Sequence, residues 1–113
     1  MAAPVQPLEA LHWHDGNLVE VSFSVDAQGL STAVLKALLY ADGQAAQRQA
    51  HTIRCDGVSR FQCSVDADEL RKNLFAGHIA QGYLKDSALW IYFTDGLLEV
   101  RAHRFSVATA TAA

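Results

Sequence analysis

The stretch "LVEVSFSV", residues 18–25, alternates without a break: Val19, Val21, Phe23 and Val25 are apolar, while Glu20, Ser22 and Ser24 are polar. Successive side chains of an extended strand point to opposite faces, whereas a helix would scatter these apolar groups around its axis. The two-residue period predicts a half-buried strand with its odd positions inward. "DAQG", residues 26–29, follows with turn-forming side chains. "STAVLKALLYAD", residues 31–42, has two readings. Its "AVLKALL" centre suits a helix by propensity. Its β-branched start and its ending at Asp42-Gly43 suit a strand that returns along the first. The strand is preferred, because a short turn between antiparallel runs is the simpler connection.

The same period continues downstream. "AHTIRC" places His51, Ile53 and Cys55 on one face, and "VSRFQCSV" does so for Phe61, Cys63 and Val65. Asp56-Gly57 between them is a hairpin signal. "HIAQGYL", "ALWIYFT" and "LLEVRAHRFSV" read as three further strands. Residues 89–93 are apolar at every position, as in a central strand covered on both faces. In the last run Leu98, Val100 and Ala102 are even, while Phe105 and Val107 are odd. One extra residue would produce such a parity change, so a β-bulge is expected between Ala102 and Arg104.

One segment breaks the pattern. "DADELRKNLFAG" has Asp66 at an N-cap position, Glu69 three residues on, Arg71 and Lys72 later, and Gly77 to end it. This predicts a short helix near 66–76 that buries Leu70, Leu74 and Phe75. Pro4 and Pro7 mark residues 1–10 as an arm, and "ATATAA", residues 108–113, as a frayed tail. One domain over 11–107 remains. The fold class expected is mainly β (α+β). About seven antiparallel strands form a sandwich, a partly open barrel or a curved sheet, with the one helix.

Charge and length exclude several function classes. The net charge is −3 and no basic stripe exists to neutralise phosphates, so nucleic acid is not an expected partner. No apolar run reaches the roughly 20 residues a membrane helix needs. "MAAPVQPLEA" has neither a basic n-region nor an apolar h-region, which argues for the cytoplasm. In that compartment Cys55 and Cys63 are expected as free thiols, although a wide turn would let them face each other. No Gly-rich phosphate loop, G-x-S-x-G elbow or other cofactor motif is legible, and no cofactor is expected.

Two clusters carry candidate chemistry. His12 and His14 share a side of an extended segment, and neutral imidazole binds transition metals well. A site needs three or four ligands, however, and no H-x-x-x-H, C-x-x-C or H-x-x-E-H spacing is present. The structural alternative has Trp13 packing inward, the histidines flanking it, and Asp15-Gly16 turning into the strand. The second cluster is aromatic: Trp90, Tyr92 and Phe93, with Tyr83 and Phe75, read either as plain core or as an interface patch, and Trp90 and Tyr92 share the face opposite Leu89, Ile91 and Phe93. Aromatic side chains supply much of the energy at interface centres.

"WHDGNLVEVSF", "HTIRCDGVSRFQ" and "LWIYFTDGLLEVRAHRF" together resemble a loose family of small bacterial β-rich uncharacterised proteins. They share an aromatic-His-Asp entry to a first strand, a mid-chain Gly-Val-x-x-Phe strand and a closing Asp-Gly hairpin. Some members resemble immunity proteins of polymorphic toxin systems. The resemblance covers most of residues 12–107 and implies a protein-binding domain with no catalytic residues. The expected function is thus a non-enzymatic, immunity-like interaction module that binds a protein partner or itself as a homodimer. Trp90, Tyr92, Tyr83, Asp15 and Glu20 are its candidate interface residues, and Asp42, Asp86 and Asp95 add acidic groups for a basic toxin. The alternative is a small-ligand or metal-binding β-barrel that uses His12 and His14.

Overall fold

The structure is a computed structural model that describes residues 11–40, 47–64, 79–93 and 96–109. These residues form six strands: β1 (His12–Val25), β2 (Ser31–Tyr40), β3 (Arg48–Ser64), β4 (Ile79–Lys85), β5 (Ala88–Phe93) and β6 (Gly96–Thr109). All neighbours are antiparallel, in a single sheet of order β1-β2-β3-β6-β5-β4. The stretch with competing readings, residues 31–40, is a strand. Its odd positions Ala33, Leu35, Ala37 and Leu39 are fully buried and its even positions are not, which a helix could not satisfy.

β3 and β6 organise the molecule. β2 joins β3 along its first half, Arg48 to Asp56, and β5 joins β6 along its first half, Gly96 to Arg101. Because β3 and β6 are antiparallel, these additions lie at opposite ends of one long ribbon. The sheet curls into a half-barrel until its first edge strand reaches its last. There the Nδ1 of His14 donates to the carbonyl of Ala80 at 2.7 Å, and Trp13, 5% exposed, packs over Gly82. A Cβ on Gly82 would stand 2.7 Å from Trp13 Cγ, so only glycine lets the indole lie this close to the β4 backbone.

Among the described residues six strands stand where about seven were expected, because Asp56-Gly57 does not turn. "AHTIRC" and "VSRFQCSV" are one 17-residue strand. Gly57 sits at φ +66°, where other residues strain, and a Cβ there would meet the Cβ of His103 at 2.9 Å. Its left-handed conformation serves an irregularity in the strand, a use of Asp-Gly that the pair alone does not distinguish from a hairpin. The irregularity also relocates the expected bulge. Val58 pairs with Ala102 but Arg60 pairs with Arg101, so the extra residue is Ser59 on β3, and none is inserted in β6. The parity change in β6 is real nonetheless: Leu98, Val100 and Ala102 are buried, then Val107, with His103 and Arg104 exposed between. Since β6 contains no extra residue, the change arises from the core lying on opposite faces of the ribbon at its two ends. Strand twist accumulated along a long two-stranded ribbon has this effect.

True turns use other chemistry. At 26–29 the Asp26 carboxylate accepts from the amides of Gln28 and Leu30, both at 2.9 Å, and Gly29 takes φ +82°. Asp86 and Ser87, both at positive φ, form the two-residue turn between β4 and β5.

Inward faces of all six strands supply the core, including Leu35, Leu39, Ile53, Ile79, Leu89, Ile91, Leu98, Val100 and Val107. The face expected to be buried on β1 is only partly so. Val21 is half-buried, but Val19, Phe23 and Val25 are 60, 45 and 58% exposed. Alternation assigned Phe23 and Val25 correctly to the face of their ladder partners Ala33 and Ser31, whereas Val19 falls in the irregularity between Leu18 and Glu20, where Leu18 packs against the core instead. The core ends before Val19 and Val25, while Phe23 stacks at its margin on Phe61, ring centroids 5.2 Å apart. The expected helix near 66–76 and the arm at 1–10 lie outside the described residues, while Ala108 and Thr109 of the expected tail still pair within β6.

Candidate functional site

The two faces of β5 have separate fates. Leu89, Ile91 and Phe93 point into the core, whereas Trp90 and Tyr92 point outward. The covering of both faces expected from an unbroken apolar run is thus incomplete. Registers across the sheet turn the outward side chains into a grid. One row reads Tyr83, Trp90, Glu99 and Gln62 across β4, β5, β6 and β3. The row on one side reads Lys85, Ala88, Arg101 and Arg60, and that on the other Gln81, Tyr92, Leu97 and Ser64.

Tyr83 and Tyr92 stack with ring centroids 6.1 Å apart, their hydroxyls 3.3 Å from each other. That hydroxyl contact raises the pKa of Tyr92 above the usual phenol value. Trp90 sits between Tyr83 and Glu99 and is half-buried by them.

Glu99 is the buried charge of the surface, with its side chain only 5% exposed. The Nε of Arg60 donates to Glu99 Oε1 at 3.2 Å, and Arg101 Nη2 lies 3.7 Å from Oε2. The amide of Gln62 completes the network, its nitrogen donating to Glu99 Oε1 and its oxygen accepting from Arg60 Nη2, both at 2.9 Å. A buried carboxylate needs such partners, since an unpaired one would be strongly disfavoured. Two guanidiniums surround one carboxylate, and Lys85 adds a third cation in the same row. The surface is therefore aromatic and locally basic on a chain whose net charge is −3.

Sequence reasoning placed Tyr83, Trp90 and Tyr92 in one patch, and the structure brings all three together. Arg60, Gln62, Glu99 and Arg101 were missed: their strands are adjacent only through the β3–β6 pairing, whose partners are some 40 residues apart in sequence. Asp15 and Glu20 lie on β1 instead. The Asp15 carboxylate is 3.5 Å from Nε2 of His14, its carbonyl accepts from Arg48, and Glu20 pairs with Lys36 at 3.1 Å. Asp42 and Asp95 lie outside the described residues.

The histidines among the described residues do not converge. His12 is half-buried opposite Tyr40, His14 is directed at Ala80 and Asp15, and His51 is buried with Nδ1 against the carbonyl of Gln49. His103 is exposed beside Gly57. Among the described residues no three His, Cys, Asp or Glu side chains gather where they would hold a metal ion.

Cys55 and Cys63 are both free and lie on one strand, so a wide turn does not bring them together. Eight residues of extended chain separate them by about 26 Å, far beyond the reach of a disulfide. Burial, with Asp56 adding repulsion, pushes the Cys55 thiol up to about 12, and burial also raises Cys63. Neither thiol is activated as a nucleophile. One aromatic disulfide reagent equivalent is expected to modify the exposed Cys63 in the native protein, and the second only after denaturation. Cys55 also sets a pH dependence. Its native pKa exceeds the unfolded value, so its contribution is complete below pH 9 and is lost as pH rises toward 12. Relative to a Cys55→Ala variant, the protein should lose about 2 kcal/mol between pH 8 and 10.5, read from urea midpoints at the two pH values. Equal losses in both proteins would contradict this burial.

A scan against protein-family models finds no match, and comparisons with curated proteins and with solved structures find none either.

Proposed function

We propose that this chain is a non-enzymatic, immunity-like interaction module that binds a protein partner through the outward face of β4, β5 and β6. The observation that carries the reading is the Tyr83, Trp90 and Tyr92 patch bordered by Arg60, Arg101 and Lys85, set on strands whose other face is the core. Tryptophan, tyrosine and arginine dominate the energetic centres of protein interfaces, because they bury much area with few rotatable bonds and keep a polar end for the partner. The core beneath fixes their backbone, so little order has to be created on binding.

The local cations select the partner's complementary chemistry: carboxylates opposite Lys85 and Arg101, and an apolar group between the tyrosines. This differs from a basic toxin facing Asp15 and Glu20, since those carboxylates already have His14 and Lys36 beside them. The bacterial setting rests on the sequence resemblance and is part of the proposal. No helix among the described residues is long and apolar enough to cross a membrane.

The test is affinity purification of the tagged protein from its native host, in parallel with a Tyr83→Ala/Tyr92→Ala variant of unchanged circular dichroism. Loss of the pair should weaken partner binding by about 2 kcal/mol, or roughly 30-fold in Kd. Absence of any protein partner, or equal recovery with the variant, would overturn the reading.

A further inference from the structure

A curled sheet that does not close by hydrogen bonding has edges, and each edge is a template for another strand unless something blocks it. On the β4 edge His14 occupies the Ala80 carbonyl and Trp13 covers Gly82. Along the free part of β3, Ser31 donates to the Val58 carbonyl, Ser59 interrupts the ladder and Arg60 adds charge. Beyond β5 on β6, the Ala102 amide bonds to the Ser87 carbonyl, and His103 and Arg104 follow. Two irregularities protect the start of β1, between His12 and Asn17 and between Leu18 and Glu20.

Glu20–Val25 has none of these devices. Its register with β2 runs without interruption, and no strand among the described residues pairs with its other side. It contains no proline, lysine or arginine, and its single charge, Glu20, is held by Lys36. Four of the five exposed large hydrophobic residues among the described residues, Val19, Phe23, Val25 and Leu30, lie on this segment or beside it.

We infer that β1 pairs antiparallel with β1 of a second copy about a twofold axis at Ser22, which joins two half-barrels into one continuous sheet. The segment is complementary to itself in that register. Ser22 meets Ser22 on the axis, Val21 meets Phe23 and Glu20 meets Ser24, all within the uninterrupted stretch Glu20–Val25. Phe23, which stacks on Phe61 of its own chain, gains Val21 of the second copy as a further apolar neighbour, and no two like charges meet. A shift of the axis to Val21 would set Glu20 against Ser22 but place Phe23 opposite the irregularity at Val19, losing the two Val21–Phe23 pairs. An isologous contact of this kind closes at two copies, so it yields a dimer and not a fibre. The inference concerns an edge distinct from the aromatic face, and its test reads self-association alone, so it stands or falls independently of the proposed partner.

Sedimentation equilibrium of the full chain should show a concentration-dependent dimer. Ser22→Lys, at an exposed position, sets two ammonium groups on the axis and should raise the dimer dissociation constant roughly tenfold or more. In a Cys63→Ser background, Ser22→Cys should form an intermolecular disulfide under mild oxidation, because facing Cα atoms in an antiparallel pair lie about 4.5–5.5 Å apart. Ser24→Cys should not, since its counterpart is four residues away along the ladder. A monomer at all concentrations, a dimer insensitive to Ser22→Lys, or preferential crosslinking through Ser24→Cys would each overturn the inference.

Discussion

Leu35→Ala is expected to lower the unfolding free energy by about 2–5 kcal/mol. Leu35 has no exposed surface and lies in the middle of β2, where Val21 and Ile53 flank it across the two ladders. Its truncation removes buried methyl groups and leaves a cavity that a continuous sheet cannot collapse to fill. A domain of this size has about 5–15 kcal/mol in total, so the variant should denature at clearly lower urea with an unchanged m-value. The informative comparison is Val25→Ala. Both residues are apolar members of an alternating strand, but Val25 is 58% exposed. Its truncation should stay within about 0.5 kcal/mol. Similar losses at the two positions would mean that the core extends to the end of β1.

Gly82→Val is expected to cost about 3 kcal/mol, at the upper end of overpacking effects. The obstacle is specific. A Cβ at residue 82 would approach Trp13 Cγ to 2.7 Å and Cδ2 to 2.9 Å, and a rigid indole cannot yield as a flexible chain end would. Relief requires Trp13 to leave, which uncovers its ring and lifts the His14 contact to Ala80 that ties β1 to β4. Indole fluorescence should therefore shift to the red along with the loss of stability. A valine accepted without either change would show that the two edges are not in register at Trp13.

Both experiments probe what alternation can and cannot tell. The period of two marked β1 and, as two separate runs, β3, while the short turn before residues 31–40 favoured a strand there although helix propensity pointed elsewhere. It also separated Leu89, Ile91 and Phe93 from Trp90 and Tyr92, so half of the candidate surface was visible in a single stretch of chain. The other half was not. Glu99 reads as one polar residue in a strand, and nothing local shows that it is buried, because its cover comes from Arg60 and Gln62 on β3. Asp56-Gly57 misled for a similar reason. A glycine at positive φ suits a hairpin or a bulge equally, and the choice depends on which strands are adjacent.

Local pattern determined which side chains share a face, since that follows from the geometry of extended backbone within a few residues. Tertiary structure decided where each face is covered: that Val25 emerges from the core, that Trp13 meets Gly82, and that β6 presents opposite parities to the interior at its two ends. Burial depends on what a distant segment brings alongside, and the twist of the β3–β6 ribbon, accumulated over many residues, determines where that segment arrives.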